Sequence, residues 1–182
     1  MGGDKPGRML AGHRLIDHAV AWARRHSSVV ALATRAGQDG LGTGLIQLMD
    51  RDPTLGPIAA LDSALRFARD GQFPAVLLVG CDMPFLPDTL LQRLLPALTG
   101  RRAAMPSSSG HLQPMATLWA PDVPALDAYV AAGGRSLLDF AREGPLAMVH
   151  WAEAPDPFVN VNDPDDLMAA AIRQARLRAT TR

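Results

Sequence analysis

Residues 75–87 read Ala75-Val76-Leu77-Leu78-Val79-Gly80-Cys81-Asp82-Met83-Pro84-Phe85-Leu86-Pro87. Five consecutive apolar residues, closed off by glycine and proline, form a strand covered on both faces. Asp82 then falls just beyond the strand, where open α/β sheets hold their ligands. The flanks extend this pattern. Residues 58–69 have helical spacing and are entered through Gly56-Pro57, with proline suited to a first helical turn. Residues 88–98 predict a helix with Asp88 as its cap. Upstream, residues 15–25 predict a helix, 28–33 a strand, 34–44 a glycine-rich loop and 45–49 a strand. Downstream, strands are expected at 103–106, 115–119 and 147–151. Helices are expected at 125–132, 136–142 and 163–178, the last with an acidic first turn and a basic end. This alternation predicts an α/β fold: a mostly parallel sheet with helices on both faces. A chain of 182 residues without repeats or linkers is expected to form one domain, 1–182.

Bulk properties narrow the function classes. Lys plus Arg number 18 and Asp plus Glu number 18. A net charge of zero gives no global field for nucleic acid, so anion binding must be local. The single cysteine, Cys81, excludes an intramolecular disulfide and a multi-cysteine zinc site. No apolar run is long enough to span a bilayer. The opening MGGDKPGRMLAG lacks the apolar core of a secretion signal. A cytoplasmic protein is expected.

Several groups are candidates for chemistry, each with a plainer reading beside it. Asp82 can hold a divalent cation, since Mg²⁺ prefers oxygen ligands and often takes only one or two from protein. It can equally cap a turn. Residues 160–166 read NVNDPDD, and Asp163-Pro164 is a helix entry. That entry does not account for Asn160 and Asn162, which point the same way in an extended segment. Asn162 can then offer an oxygen to a metal or an amide to a phosphate. Lys5, after Gly2-Gly3, can meet a triphosphate or be a solvated lysine. Asp50 and Asp52 lead toward a helix N-terminus that favours anions, or lie in a plain connecting loop. The five histidines show no metal spacing, and Ser107-Ser108-Ser109-Gly110 reads as a loop.

Six blocks in register, MGGDK, LAGHRLIDHA, GPIAAL, CDMPFLP, QPM and FVNVNDPDDL, resemble the molybdenum cofactor guanylyltransferases (MobA family). The resemblance runs from Gly2 to about Leu167. It implies a Rossmann-like, GT-A-like nucleotidyltransferase fold, a three-layer α/β/α sandwich. It implies transfer of GMP from GTP to the phosphate of molybdopterin (Mo-molybdopterin) with release of pyrophosphate, and Mg²⁺ as cofactor. By the same resemblance Asp82 and Lys5 would be catalytic. Lys5, Thr34, Asp50 (or Asp52) and Asp82 would contact GTP. Asp82 and Asn162 would hold the metal. Asn160, Asn162 and Arg135 would lie toward molybdopterin. Other molybdenum cofactor biosynthesis proteins are implied partners.

Gly56-Pro57 and NVNDPDD resemble the guanylyl branch more than the cytidylyl branch. A cytidylyltransferase of the same cofactor, a sugar-phosphate nucleotidyltransferase and an inactive nucleotide- or pterin-binding homologue are the alternatives. Three departures stand out. The family opens with a strand and a LAGGxSxRMGxDK loop, whereas this sequence starts at the Met of that motif, so the first strand and glycine loop are expected to be missing. Thr34-Arg35 stands where the family often has Asn-Arg. Ala60 replaces the second glycine of GPLAG.

Overall fold

The computed structural model describes residues 6–35 and 41–180. A hairpin opens it, β1 (Met9–Leu10) and β2 (His13–Arg14), followed by α1 (Leu15–His26). Next come β3 (Ala31–Thr34) and β4 (Ile46–Met49), a 3-10 turn (Pro53–Leu55), α2 (Pro57–Asp70), β5 (Val76–Val79) and α3 (Leu90–Leu98). The second half runs β6 (Ala103–Ser108), β7 (His111–Leu112), β8 (Ala116–Trp119), α4 (Val123–Ala131), α5 (Leu137–Arg142), β9 (Leu146–Trp151) and α6 (Pro164–Thr180).

The larger sheet has the order β5-β8-β6-β9, with β7 extending the β8 side of β6. β6 and β9 are parallel, as are β3 and β4. β8 runs antiparallel to both β5 and β6. The sheet is therefore mixed, not mostly parallel as the alternation predicts. The reason lies in the segment read as a serine loop. Ser107 and Ser108 belong to β6, and the two-residue turn Ser109-Gly110 has positive φ at both positions (51° and 79°). That conformation closes a tight hairpin and sends the chain back antiparallel without a crossover helix.

Period-two alternation divides the sheet between two cores. Ala103, Met105 and Trp119 meet Ile58, Leu61 and Leu65 of α2, with Leu126 and Phe140 of α4 and α5, on one face. Ala104, Ala116 and Leu118 meet Trp22 of α1 and Leu90 and Leu94 of α3 on the other. The result is three layers. Full burial of each such leucine contributes about 1.5–3 kcal/mol. A third, smaller cluster joins Leu10, Leu15, Val161 and Ala170, and so seats the opening hairpin on the segment before α6. The β3–β4 pair shares no strand pairing with the larger sheet among the described residues, but α2 packs on β3, β4 and β5.

Two helix starts differ in outcome. At α6, the Asp166 amide donates to Asp163 Oδ1 at 2.9 Å, so Asp163 caps as expected. At α3, Thr89 holds the cap position and makes no side-chain cap bond. Asp88 instead accepts from Arg25 Nη2 at 3.0 Å, drawn to the basic last turn of α1.

Candidate active site

The strand ends that matter are those of β3, β4 and β5. Helix α2 connects β4 to β5 and packs on β3, β4 and β5, and Asp50 and Asp82 each follow the C-terminal end of a strand, where α/β sheets hold their ligands.

Asp82 lies half-buried in the turn after β5. The Gly80 amide donates to the Met115 carbonyl at 2.9 Å, which ends the strand. The Asp82 carboxylate folds back over Gly80. A Cβ built at Gly80 would stand 2.6 Å from Asp82 Oδ1, closer than side chains pack. Only glycine leaves room for the carboxylate there. Gly80→Ala is therefore expected to displace Asp82 and cut turnover about tenfold, with a thermal midpoint near that of the parent. Steady-state kinetics beside a melting curve would check this.

The asparagine segment arrives at the same turn. The Val161 amide donates to the Asp82 carbonyl at 2.8 Å. Val161 is fully buried in the third cluster, whereas Asn160 is half-buried and Asn162 exposed. That alternation is the extended geometry expected of the two asparagines. The Asn162 amide donates to Asp166 Oδ2 at 2.8 Å, and the Asn162 carbonyl accepts from Arg8 Nη1 at 2.7 Å. The Asp82 turn and the Asn160–Asn162 segment are thus adjacent through the main chain.

The second group gathers behind β3 and β4. The Asp50 amide donates to the Thr34 carbonyl at 2.8 Å. Thr34 itself is only 3% exposed, so it offers its main chain to Asp50 and little side-chain surface to a ligand. Asp50 Oδ1 is buried and has no hydrogen-bond partner among the described residues. Burial pushes the Asp50 carboxyl above the usual carboxylate range, against the opposing charge of Arg35. A buried acceptor left open at a strand end is the mark of a group awaiting a donor. Asp52 is engaged instead by Thr54: it accepts from the Thr54 amide at 2.9 Å and the Thr54 hydroxyl at 2.6 Å, capping the 3-10 turn. Those bonds hold its carboxyl below the usual range, with a smaller contribution from the charge of Arg135. Of the two carboxylates the sequence leaves open, Asp50 is the one available.

Arg135 is exposed between α4 and α5, and its charge is felt at Asp52. The resemblance sets it with Asn160 and Asn162, toward molybdopterin. Lys5 lies outside the described residues. Sequence reasoning missed Arg8 and Gly80. The matched blocks skip residues 6–9, and an arginine there carries no signature for a contact 154 residues away. Gly80 stood inside the strand-to-turn junction, where an isolated glycine signals close backbone approach.

Among the described residues, no three His, Cys, Asp or Glu side chains converge as a metal cage. Asp82 and Asn162 would offer a sparse, hard-oxygen donor set. That set fits an ion such as Mg²⁺ shared with substrate phosphates, and not zinc.

Residues 1–150 match the family model of the MobA-like NTP transferase domain. The chain belongs to that family. Relatives along nearly its whole length agree with this MobA-like assignment. A protein named molybdenum cofactor guanylyltransferase from Rhodobacter capsulatus is 34% identical, over 95% of this chain and 89% of its own. One of the same name from Rhizobium johnstonii is 32% identical, over 98% and 89%. Among solved structures, molybdopterin-guanine dinucleotide biosynthesis protein A from Archaeoglobus fulgidus superposes with a TM-score of 0.79 at 21% identity, covering 96% of this chain and 92% of that one. The 2-C-methyl-D-erythritol 4-phosphate cytidylyltransferase of Thermus thermophilus superposes at 0.68 with 20% identity, covering 96% and 95%. The fold is thus that of a nucleotidyltransferase, and it is shared by proteins named for different nucleotides.

Proposed function

We propose that this MobA-like chain, acting as one domain over residues 1–182, transfers GMP from GTP to the phosphate of molybdopterin. Pyrophosphate leaves, and the guanine dinucleotide form of the molybdenum cofactor is the product. The observation that carries the reading is the direct bond between the Asp82 turn and the Asn160–Asn162 segment at a strand end. The choice of guanine and pterin rests on the names of the relatives that match nearly the whole chain.

The chemistry asks little acid–base work of the protein. The attacking group is a phosphate monoester, ionised at neutral pH. Its oxygen forms a bond to the α-phosphorus of GTP as the bond to the bridging β-oxygen breaks. No proton must be removed in that step, so no His–carboxylate dyad is needed. Two anions must instead be neutralised and held in line. In this reading Asp82 and Asn162 hold Mg²⁺, which when bound neutralises phosphate charge. Lys5 contacts the triphosphate. Asp50, with its open buried oxygen, accepts N–H donors from the guanine edge. Thr34 acts by fixing Asp50. Asn160 and Asn162 face the pterin phosphate. Arg135 serves the anionic molybdopterin substrate. The reaction would run in the cytoplasm, beside the proteins that make and receive molybdopterin. No helix among the described residues is long and apolar enough to cross a membrane.

Pyrophosphate release measured with Mo-molybdopterin and each nucleoside triphosphate tests the assignment. GTP is expected to exceed CTP by at least about a hundredfold in kcat/KM, as a hydrogen-bonded base edge allows. A strong preference for CTP would sink the guanylyl reading, and no release with any triphosphate would sink the transferase reading.

A further inference from the structure

We propose that Arg8 is a positioning residue for the acceptor half of this site, holding the Asn160–Asn162 segment against the Asp82 turn. The inference rests on the functional reading above for its kinetics, but not for its geometry. Arg8 Nη1 donates to the Asn162 carbonyl at 2.7 Å. One residue earlier, the Val161 amide is bonded to the Asp82 carbonyl, and the Asn162 amide is bonded to Asp166 Oδ2. With Arg8 in place, both main-chain polar groups of Asn162 are held, so its side chain is presented from a fixed backbone.

Arg8 is itself held. Its carbonyl accepts from the Leu15 amide at 2.9 Å, and the β1–β2 hairpin that follows pairs Met9 with Arg14. Leu10 of that hairpin packs in the same buried cluster as Val161. On the far side, Arg14 donates to both carboxylate oxygens of Asp17 and, through Nη1, to the Leu41 carbonyl at 2.6 Å. Two arginines therefore bracket the hairpin, Arg8 just before β1 and Arg14 at the end of β2. Arg14 ties it to the loop behind β3, and Arg8 ties it to the loop behind β9. A planar guanidinium on a rigid hairpin sets the carbonyl's position, which a flexible ammonium does not. The Arg8 charge also stands at the entry to α6, which Asp163 caps and whose first turn carries Asp165 and Asp166.

The consequence is pre-organisation: without Arg8, the acceptor must be aligned by a looser segment. Arg8→Ala is expected to lower kcat by on the order of ten- to a hundredfold while the KM for GTP stays within about twofold. Added guanidinium ion should restore part of the lost kcat in Arg8→Ala and have no such effect on the parent. Arg8→Lys should fall between the two. Hydrogen exchange at the Val161 and Asn162 amides should quicken about tenfold in Arg8→Ala, with the global thermal midpoint little changed. Unchanged exchange in Arg8→Ala overturns the proposal. So does a loss of kcat that follows a lowered midpoint and resists guanidinium rescue. If the parent itself fails to transfer nucleotide to the pterin, the functional reading falls, and the exchange comparison still decides the role of Arg8.

Discussion

Asp82→Ala is expected to leave the protein folded and to lower pyrophosphate release by on the order of 10²–10³-fold. The fold should survive because the turn is held through main-chain groups that alanine retains. The Asp82 carbonyl accepts from Val161, and the neighbouring Gly80 amide bonds to Met115. Met83 and Leu86, which follow Asp82, remain buried. What alanine removes is the carboxylate that Gly80 leaves room for. Charge neutralisation between triphosphate and acceptor then loses its charged protein ligand, while the base contact at Asp50 persists. The loss should therefore appear in kcat, with GTP binding reduced far less, and raising the Mg²⁺ concentration should recover only part of it. Thermal melting, nucleotide titration and pyrophosphate release on the same protein separate these quantities. A variant that turns over GTP at the parental rate would remove Asp82 from the chemistry.

The parts of this site that sequence could read share a cause. Asp82 follows the most apolar strand of the chain, and the Asn160–Asn162 pair precedes a helix with a strong cap, so local pattern was enough to place both. The strand and helix positions were legible for the same reason, within a few residues. What sequence could not read depended on non-local geometry. The antiparallel return of β8 turns on two positive-φ residues, Ser109 and Gly110, in a stretch whose composition matches any polar loop. The choice between Asp50 and Asp52 turns on Thr54 engaging one of them. Arg8 reaches its neighbour across a long sequence separation, and nothing in its local pattern announces a partner. Asp88 has a cap residue's sequence position, but the basic end of α1 competes for its carboxylate and wins.

Asp50→Asn is expected to impair GTP use and stabilise the fold at once. The Asp50 carboxyl is raised by burial, so the native state favours its protonated form. The sign follows from linkage. A group raised in the folded state contributes stability below its unfolded pKa, and that contribution is lost as pH rises through the folded value. The ionised form is therefore held at a cost to the fold, with one buried oxygen open, and asparagine relieves that cost. The variant should melt above the parent at pH 7, with the difference shrinking as pH falls into the carboxylate range. Function should move the other way. An ionised carboxylate accepts from two N–H groups on a base edge, whereas asparagine turns one acceptor into a donor facing them. Hydrogen bonds to a charged group are worth about 1.5–3 kcal/mol, or roughly ten- to a hundredfold in kcat/KM for GTP. In the parent, kcat/KM for GTP should fall on acidification at a pH above the ordinary carboxylate range, and in Asp50→Asn that limb should be absent. Stability lost together with activity would make Asp50 a structural residue. A gain in midpoint with a loss in GTP use is the pairing that a binding group held at a cost to the fold should give.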